Sequence, residues 1–178
     1  MLRPAAESDV LPMREWRNQP ANREVSLQQH EIGLEEHLAW WERVQQDPTK
    51  RVMVFTYDDR PLGIVNFFDL DLDAPEGSRS GAWGFFLDNE TATAEGTAMM
   101  AWMQVMKDAT NYAFDELGLD VLTGEVHEDN EAVRVMNRRF RFTEGDPITY
   151  PDGRVFLPIT LLRENRRGAK KKTEEGQQ

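Results

Sequence analysis

The stretch GAWGFFLDNETATAEGTAMMA, residues 81–101, decides the fold that the sequence predicts. Its first seven residues are apolar and aromatic, which is typical of a buried strand, and residues 88–95 are small and polar. Gly96 then opens a run, residues 97–117, whose apolar side chains recur at helical spacing. The stretch therefore predicts a buried strand, a short loop and a long helix, in that order.

The junction between this loop and this helix has the features of an anion-binding site. The first N–H groups of a helix have no partners within it, and the helix dipole adds positive potential there. Gly96 lacks a Cβ and so lets the backbone approach a ligand closely. We therefore expect a pyrophosphate on the backbone of Thr93, Ala94, Glu95, Gly96, Thr97 and Ala98.

The composition is typical of a single globular domain. The 178 residues are 39% hydrophobic and 30% charged. There is no cysteine, which excludes disulfides, thiolate metal sites and a cysteine nucleophile. No apolar run is long enough to cross a membrane, and the first ten residues lack the apolar stretch of a signal peptide. We therefore expect a cytoplasmic protein with no membrane partner.

Charge is unevenly distributed along the chain, whose net charge is −11. Residues 164–178 contain the cluster RRGAKKK and carry five basic and three acidic side chains, which is typical of a disordered end. The preceding residues include 16 basic and 29 acidic side chains, a net charge of −13. Such a body repels nucleic acid phosphates and suits an amine-bearing small molecule. We expect no nucleic-acid partner, and the sequence is compatible with a homodimer.

The first half of the chain predicts strands and helices in alternation with turns. Ser8 or Asp9 is suited to cap the first helix, and Pro20 to end it. The inner stripe of the second helix is expected to consist of Leu38, Trp41 and Val44. The predicted elements are a strand at 2–5, a first helix that ends near residue 18, a second helix at 34–46, and a hairpin of strands at 51–57 and 62–70.

The second half predicts a further strand, helix and two strands. Asn130 is suited to cap the helix. The predicted bounds are 119–127 for the strand, 130–139 for the helix, and 140–144 and 154–162 for the last strands. Together with the central stretch, this order predicts a mixed α/β sheet.

Two charged clusters have alternative interpretations. Arg14, Arg17 and Arg23 lie near the end of the first helix, and they form either a solvated face or a basic rim for an anionic group of a substrate. The alternating DLDLD, residues 69–73, resembles a metal loop in its aspartate spacing. No glycine or glutamate follows at the spacing of a calcium loop, so we expect no metal site.

Over residues 2–162, the element order and two motifs resemble the GCN5-related N-acetyltransferases (GNAT). In that family a loop Arg/Gln-x-x-Gly-x-Gly/Ala binds the pyrophosphate of acetyl-CoA, and TAEGTA, residues 93–98, keeps the last two positions. A second signature, Asn-x-x-Ala-x-x-x-Tyr-x-x-x-Gly-Phe, aligns with NEAVRVMNRRFRF, residues 130–142. Val133, Asn137 and Arg141 there replace the family's Ala, Tyr and Gly.

The resemblance implies one GNAT domain, residues 1–163, whose mixed sheet is splayed at the acetyl-CoA site and carries helices on both faces. The segments WRN (16–18), EEHLAWW (35–41), PLGIVNFFDLD (61–71) and AWGFFL (82–87) are most similar to the aminosugar-nucleotide N-acetyltransferases of pseudaminic acid biosynthesis. This implies acetyl transfer from acetyl-CoA to a primary amine of a small molecule, with an amino sugar as one candidate. Two alternatives stay open: a peptide or ribosomal-protein N-terminal acetyltransferase, and a non-catalytic acyl-CoA-binding member.

The resemblance also implies which residues meet acetyl-CoA. In the family the pantetheine of CoA pairs with a free strand edge, here the backbone of Phe85, Phe86 and Leu87. Asn130 is expected to cap its helix and to contact either the pantetheine of CoA or the substrate. Asn137 replaces the tyrosine that protonates the CoA thiolate in many relatives, and an amide can donate a hydrogen bond but not a proton.

Glu125 is the expected general base, because it occupies the position of a proposed base in the pseudaminic-type enzymes. We expect partial burial to raise its pKa. His127, which faces the same side of the strand, is the alternative base. Tyr150 and Tyr112 are candidates for the missing acid, although the spacing favours neither.

Overall fold

An eight-stranded sheet forms the centre of the computed structural model, which describes residues 1–167. The strands lie in the order β1-β2-β3-β4-β5-β8-β6, with β7 paired to β8, and only the β4–β5 pair is parallel. The elements are β1 (Leu2–Pro4), α1 (Val10–Asn18), α2 (Pro20–Glu24), α3 (Leu34–Gln46), β2 (Arg51–Tyr57), β3 (Arg60–Asp71), β4 (Ser80–Leu87), α4 (Asn89–Ala94), α5 (Ala98–Asn111), β5 (Val121–His127), α6 (Glu131–Arg139), β6 (Thr143–Glu144), β7 (Ile148–Thr149) and β8 (Val155–Leu162).

The central strands β4 and β5 pair over only part of their length. Three residue pairs join them, and the last is Ala82 with Thr123. By contrast, β4 stays paired with β3 as far as Leu87, and β5 stays paired with β8 as far as His127. The two strands therefore diverge beyond Ala82, and the sheet is splayed as the resemblance implies.

Helices cover both faces of the sheet because the strand side chains alternate between them. On one face, Val65 and Phe67 of β3 belong to a core that also contains residues of α5 and α6. On the other face, Ile64 packs with residues of α1 and α3. Burying a side chain as large as Phe67 contributes about 1.5–3 kcal/mol to folding. The predicted fold class is confirmed.

The start of α1 differs from the prediction. Neither Ser8 nor Asp9 caps it, because Asp9 accepts two 2.7 Å hydrogen bonds from Arg3 and one from the Ala6 N–H. The hydrogen bonds from Arg3 hold the pKa of Asp9 below its usual value. Pro20 starts α2 rather than only ending α1, since the first position of a helix needs no N–H.

The inner stripe of α3 also differs from the prediction at one position, because His37 takes the place of Leu38. Leu38 is 42% exposed, whereas His37 is 6% exposed and its Nε2 lies 2.8 Å from the Val10 carbonyl oxygen. Burial lowers the pKa of His37. The buried stripe consists of His37, Trp41 and Val44, so the histidine packs in the core.

Most of the loop predicted at 88–95 is instead a helix, α4, which spans Asn89–Ala94. Asp88 caps this helix, α4, by accepting a 3.1 Å hydrogen bond from the Thr91 N–H. The strand predicted at 140–144 shrinks to two residues because α6 extends to Arg139 and the chain then turns at Arg141, whose φ of 70° is left-handed. Glycine tolerates that conformation best, and it is the residue of the family signature at this position.

The described chain ends in a 3₁₀ turn, Arg163–Asn165. Arg166 lies just beyond it and pairs with Asp115 at 2.7 Å. Residues 168–178, which contain most of the predicted basic tail, lie outside the described residues. No helix within residues 1–167 is long and apolar enough to cross a membrane.

Candidate active site

A cavity of about 390 Å³ opens where β4 and β5 diverge. Its walls come chiefly from β4, β5, α2, the start of α5 and one side of α6. It brings together eight of the residues predicted for the site: Phe85, Phe86, Leu87, Ala98, Glu125, His127, Asn130 and Asn137. We call this space the β4–β5 cavity.

The edge of β4 that faces this cavity has no strand partner beyond Ala82. The backbone of Phe85 and Phe86 is therefore open toward β5, as predicted. Leu87 is different, because its carbonyl oxygen accepts a 2.8 Å hydrogen bond from Asn22 Nδ2. The same Asn22 nitrogen also donates to the Trp16 carbonyl oxygen and so ties α1 to the end of β4.

Glu125 lies on the cavity wall with its side chain exposed. The expectation of partial burial is wrong, because the divergence of β4 leaves this face of β5 uncovered. Glu125 Oε2 accepts a 2.7 Å hydrogen bond from Tyr150 Oη. This hydrogen bond raises the pKa of Tyr150. Within residues 1–167, Oε1 of Glu125 has no hydrogen bond, so it is free to accept a proton.

His127 lies on the same face of β5 but has a different hydrogen-bonding state. Its Nδ1 accepts a 3.2 Å hydrogen bond from the Asp129 N–H, and its ring packs edge-on against Phe156 at 5.1 Å. In a neutral ring that accepts at Nδ1, the proton is on Nε2. A neutral His127 ring therefore presents an N–H donor at Nε2.

Asn130 and Asn137 lie at the two ends of α6. Asn130 Oδ1 accepts a 3.3 Å hydrogen bond from the Val133 N–H, which is the predicted helix cap. Asn137 is only 2% exposed, and its Nδ2 has no hydrogen-bond partner among the described residues. Tyr112, the other candidate acid, lies outside the cavity and packs against Phe67 at 5.4 Å.

The loop predicted to bind pyrophosphate is altered by α4. The Gly96 N–H donates to Thr93 at 3.1 Å, and the Thr97 N–H donates to Ala92 at 2.9 Å. Gly96 adopts a left-handed φ of 68° to turn the chain from α4 into α5. Among the six predicted residues, only Ala98 belongs to α5. The unpaired N–H groups at this junction are those of the first turn of α5, residues 98–100.

The three arginines predicted as a basic rim do not line the β4–β5 cavity. Each donates to a backbone carbonyl of the loop between α2 and α3: Arg14 to Ile32 at 2.8 Å, Arg17 to Gln28 at 2.6 Å and Arg23 to Gln29 at 3.0 Å. They therefore hold this loop against α1 and α2.

Arg17 differs from the other two because it also lines a second cavity, of about 320 Å³, against α1 and α3. Its Nη1 is buried and has no partner within residues 1–167, and burial lowers its pKa. His37, Trp40 and Asn66 line the same space, which we call the α3 cavity. Phe86 lines both cavities, so they adjoin at β4.

Arg154 is a site-forming residue that the sequence did not reveal. It donates to the Ser26 and Leu27 carbonyl oxygens at 2.9 and 2.7 Å, and its Nε donates to Asp152 at 2.7 Å. These bonds join the turn that carries Tyr150 to the α2–α3 loop. The partners are 127 and 128 residues apart, and no local pattern signals such a contact.

Comparisons with known proteins give a consistent result. A family model for the acetyltransferase (GNAT) domain matches residues 1–143. The acetyltransferase PseH of Campylobacter jejuni subsp. jejuni serotype O:23/36 (strain 81-176) is 23% identical over 146 residues, which cover 82% of this chain and 81% of that protein.

Solved structures share the same fold at low identity. The spermidine N-acetyltransferase from Vibrio cholerae in complex with CoA and spermine matches with a TM-score of 0.76 at 15% identity, over 91% of this chain and 94% of that one. The Campylobacter jejuni N-acetyltransferase PseH in complex with acetyl coenzyme A matches with a TM-score of 0.64 at 16% identity, over 91% and 99%.

Proposed function

The chain belongs to the acetyltransferase (GNAT) family, and we propose that it acetylates a primary amine of a small molecule that also carries an anionic group. It is an N-acetyltransferase with acetyl-CoA as its co-substrate, so the proposal concerns the acceptor and the residues that act on it. The observation that carries the proposal is the exposed carboxylate of Glu125 on the wall of the β4–β5 cavity.

In this proposal, acetyl-CoA follows the free edge of β4 with its pantetheine beside residues 83–86. Its pyrophosphate meets the first turn of α5 at Ala98, Met99 and Met100. The unpaired backbone of β4 and the unpaired N–H groups of α5 support this placement. The backbone N–H groups of Gly96 and Thr97 do not bind the pyrophosphate, because each already donates to a carbonyl oxygen of α4.

Glu125 acts as the general base. An amine arrives at neutral pH largely as an ammonium ion and must lose a proton before it attacks the thioester. Glu125 Oε1 accepts that proton, while the hydrogen bond from Tyr150 holds Oε2 in a fixed position. His127 is less suited to the role because its Nε2 carries the proton.

The α3 cavity holds the remainder of the acceptor. It adjoins the β4–β5 cavity at Phe86, so a molecule whose amine reaches Glu125 extends toward Arg17. A half-buried guanidinium with an unpaired Nη1 favours an anionic partner, because phosphate or carboxylate satisfies both its charge and its N–H group. An amino sugar linked to a nucleotide has this combination of amine and phosphate.

A polyamine is the second candidate acceptor. The net charge of −13 before residue 164 attracts cations, and Glu36 lies beside Arg17 and Arg43 in the α3 cavity. The fold is shared with a spermidine N-acetyltransferase. Two buried atoms in residues that line the α3 cavity lack a partner within residues 1–167, Arg17 Nη1 and Asn66 Oδ1. We favour the anionic acceptor because the charged one of the two is a cation.

Free-thiol release from acetyl-CoA with a panel of amines tests the proposal. The panel contains an aminosugar nucleotide, the same amino sugar without the nucleotide, spermidine and a peptide with a free N-terminus. We expect the aminosugar nucleotide to give the highest kcat/KM. Arg17→Gln should lower kcat/KM for it by about tenfold or more, which corresponds to about 1.4 kcal/mol, and should affect the unlinked sugar less.

Arg23→Gln is the matched control, because Arg23 also holds the α2–α3 loop but does not line the α3 cavity. It should leave the preference among acceptors unchanged. If spermidine or the peptide is the best acceptor, the anionic acceptor is wrong. CoA binding without thiol release from any amine would instead support a non-catalytic acyl-CoA-binding role.

A further inference from the structure

Buried polar atoms that lack a hydrogen-bond partner are unevenly distributed in this protein. Six side-chain atoms of this kind occur within residues 1–167. One of them, Asp108 Oδ2, forms an ion pair with the N-terminal amino group at 2.7 Å. The other five belong to residues that line the β4–β5 cavity or the α3 cavity. Because unpaired buried polar atoms are costly, this clustering points to ligand atoms that pair with them.

Three of the five are N–H donors in residues that line the β4–β5 cavity: Trp83 Nε1, Trp102 Nε1 and Asn137 Nδ2. An indole N–H and an amide NH₂ can only donate. Trp83 and Asn137 are 5% and 2% exposed, so bulk water does not substitute for a partner. These three groups therefore suit a ligand that presents hydrogen-bond acceptors.

The donors come from three elements that surround the cavity. Trp83 lies on β4 and stacks against Phe85 and Phe142, with ring centroids 5.6 and 5.9 Å apart, which fixes its indole. Trp102 lies one turn into α5, and Asn137 lies near the end of α6. The set is therefore built on regular structure rather than on loops.

The donors and the candidate base lie on opposite faces of β5. Val126 packs in the core that α5 and α6 share, together with Trp83 and residues flanking Asn137 on α6. Glu125 and His127, one residue to either side of Val126, face the other way. A thioester in the gap between β4 and β5 can thus receive an amine from the face of Glu125 and release its sulfur toward the donors.

We propose that Asn137 and Trp102 bind the sulfur of CoA and stabilise it as the departing thiolate, while Trp83 donates to an acceptor oxygen of the pantetheine arm. The role of these donors rests on the proposed function in one respect, which is that acetyl-CoA occupies the β4–β5 cavity. Acetyl transfer then needs no side-chain acid to protonate the thiolate, which is the role of the family tyrosine that Asn137 replaces.

The step balances in atoms and electrons. The amine nitrogen bonds to the thioester carbon, the carbon–sulfur bond breaks, and its electron pair stays on sulfur. Glu125 takes the first proton from the ammonium ion before attack and passes it to solvent. After attack the nitrogen loses its second proton to Glu125, and solvent protonates the thiolate after release. Hydrogen bonds to an ionised acceptor are about twice as strong as those between neutral groups, which favours the thiolate over the thioester sulfur.

Titration of the thiol of bound CoA tests this proposal without any acceptor amine. The thiolate absorbs in the ultraviolet, and the complex with desulfo-CoA supplies the background from tyrosines and tryptophans. We expect the pKa of the bound thiol to lie about one unit or more below that of free CoA, because donors stabilise the thiolate. Asn137→Leu and Trp102→Phe should each raise it toward the free value.

Calorimetry separates a contact with sulfur from a general packing role. Asn137→Leu should weaken the binding of CoA at a pH where the bound thiol is ionised and leave the binding of desulfo-CoA unchanged. Trp41→Phe is the control for the indole variant, because Trp41 Nε1 is already bonded to Glu7 at 2.7 Å and lies outside the cavity. It should change neither measurement.

Two results would overturn the proposal. One is a wild-type complex whose bound thiol titrates like free CoA. The other is a loss of affinity for desulfo-CoA in Asn137→Leu as large as the loss for CoA, since that loss would not involve sulfur. Both measurements are independent of the acceptor, so a failed acceptor panel leaves them interpretable.

Discussion

At the residue scale, the hydrogen bond between Tyr150 and Glu125 is the contact that defines the candidate base. It restricts the carboxylate, which is exposed and would otherwise sample several rotamers. The Tyr150 ring packs against Phe156 at 5.1 Å, and Arg154 lies over the same Phe156 ring at 5.6 Å. The position of Glu125 therefore depends on the turn before β8.

The same contact predicts a pH effect that can be measured on Tyr150. The pKa of Tyr150 is raised chiefly because its hydroxyl donates to the Glu125 carboxylate. Glu125→Gln keeps an acceptor but removes the negative charge, so the pKa of Tyr150 should fall toward its ordinary value. Absorbance of tyrosinate as the pH is raised measures this.

Tyr150→Phe identifies the transition that belongs to Tyr150 among the three tyrosines. The matched control is His127→Gln, which alters the same strand face without touching Tyr150. An unchanged Tyr150 titration in Glu125→Gln would mean that the two side chains are not bonded in solution.

At the element scale, the junction of α4 and α5 is the proposed binding site of the pyrophosphate. Gly96 has the left-handed φ that reverses the chain between the two helices, and a Cβ there would meet no other atom within 4 Å. Glycine is therefore required by the backbone conformation and not by crowding. The carboxylate of Glu95 is paired with Arg60 at 2.7 Å, so its charge is balanced and does not repel an anion at the first turn of α5.

A charge placed in the first turn of α5 tests this assignment. Met99 is 60% exposed, and Met99→Glu puts a carboxylate beside the unpaired N–H groups of residues 98–100. The charge should repel the pyrophosphate and weaken CoA binding by about tenfold. It should not lower the free energy of unfolding, because a negative charge stabilises the start of a helix.

Calorimetry with CoA and denaturant unfolding provide the two measurements for this variant. Met99→Gln has a similar shape without the charge and should retain CoA affinity. If folded Met99→Glu binds CoA as tightly as the wild type, the pyrophosphate does not lie on the first turn of α5.

At the scale of the whole molecule, much of the fold was predictable because it follows from local patterns. The alternation in RVMVFTY sets β2 at its predicted bounds, and the apolar periodicity of residues 34–46 sets α3. The divergence of β4 and β5 was predicted only from the family resemblance. It is a feature of strand pairing that no local pattern contains.

The site was less predictable because its contacts join distant residues. The bond from Tyr150 to Glu125 spans 25 residues, and the bonds from Arg154 to the α2–α3 loop span 127 and 128. Net charge was also a poor guide to local charge. The chain is strongly acidic, yet the charged group with an unpaired buried atom in the α3 cavity is the Arg17 guanidinium.

The central claim is that amine acetylation occurs at the β4–β5 cavity with Glu125 as the base. The most direct test is kcat of Glu125→Gln from about pH 6 to about pH 9 with the best acceptor of the panel. We predict a loss of about 10²–10⁴-fold that shrinks as the pH rises, because more of the amine arrives deprotonated. The affinity for acetyl-CoA should be unchanged, and His127→Gln should retain most of its activity. Near-normal kcat in Glu125→Gln across this pH range would contradict the account.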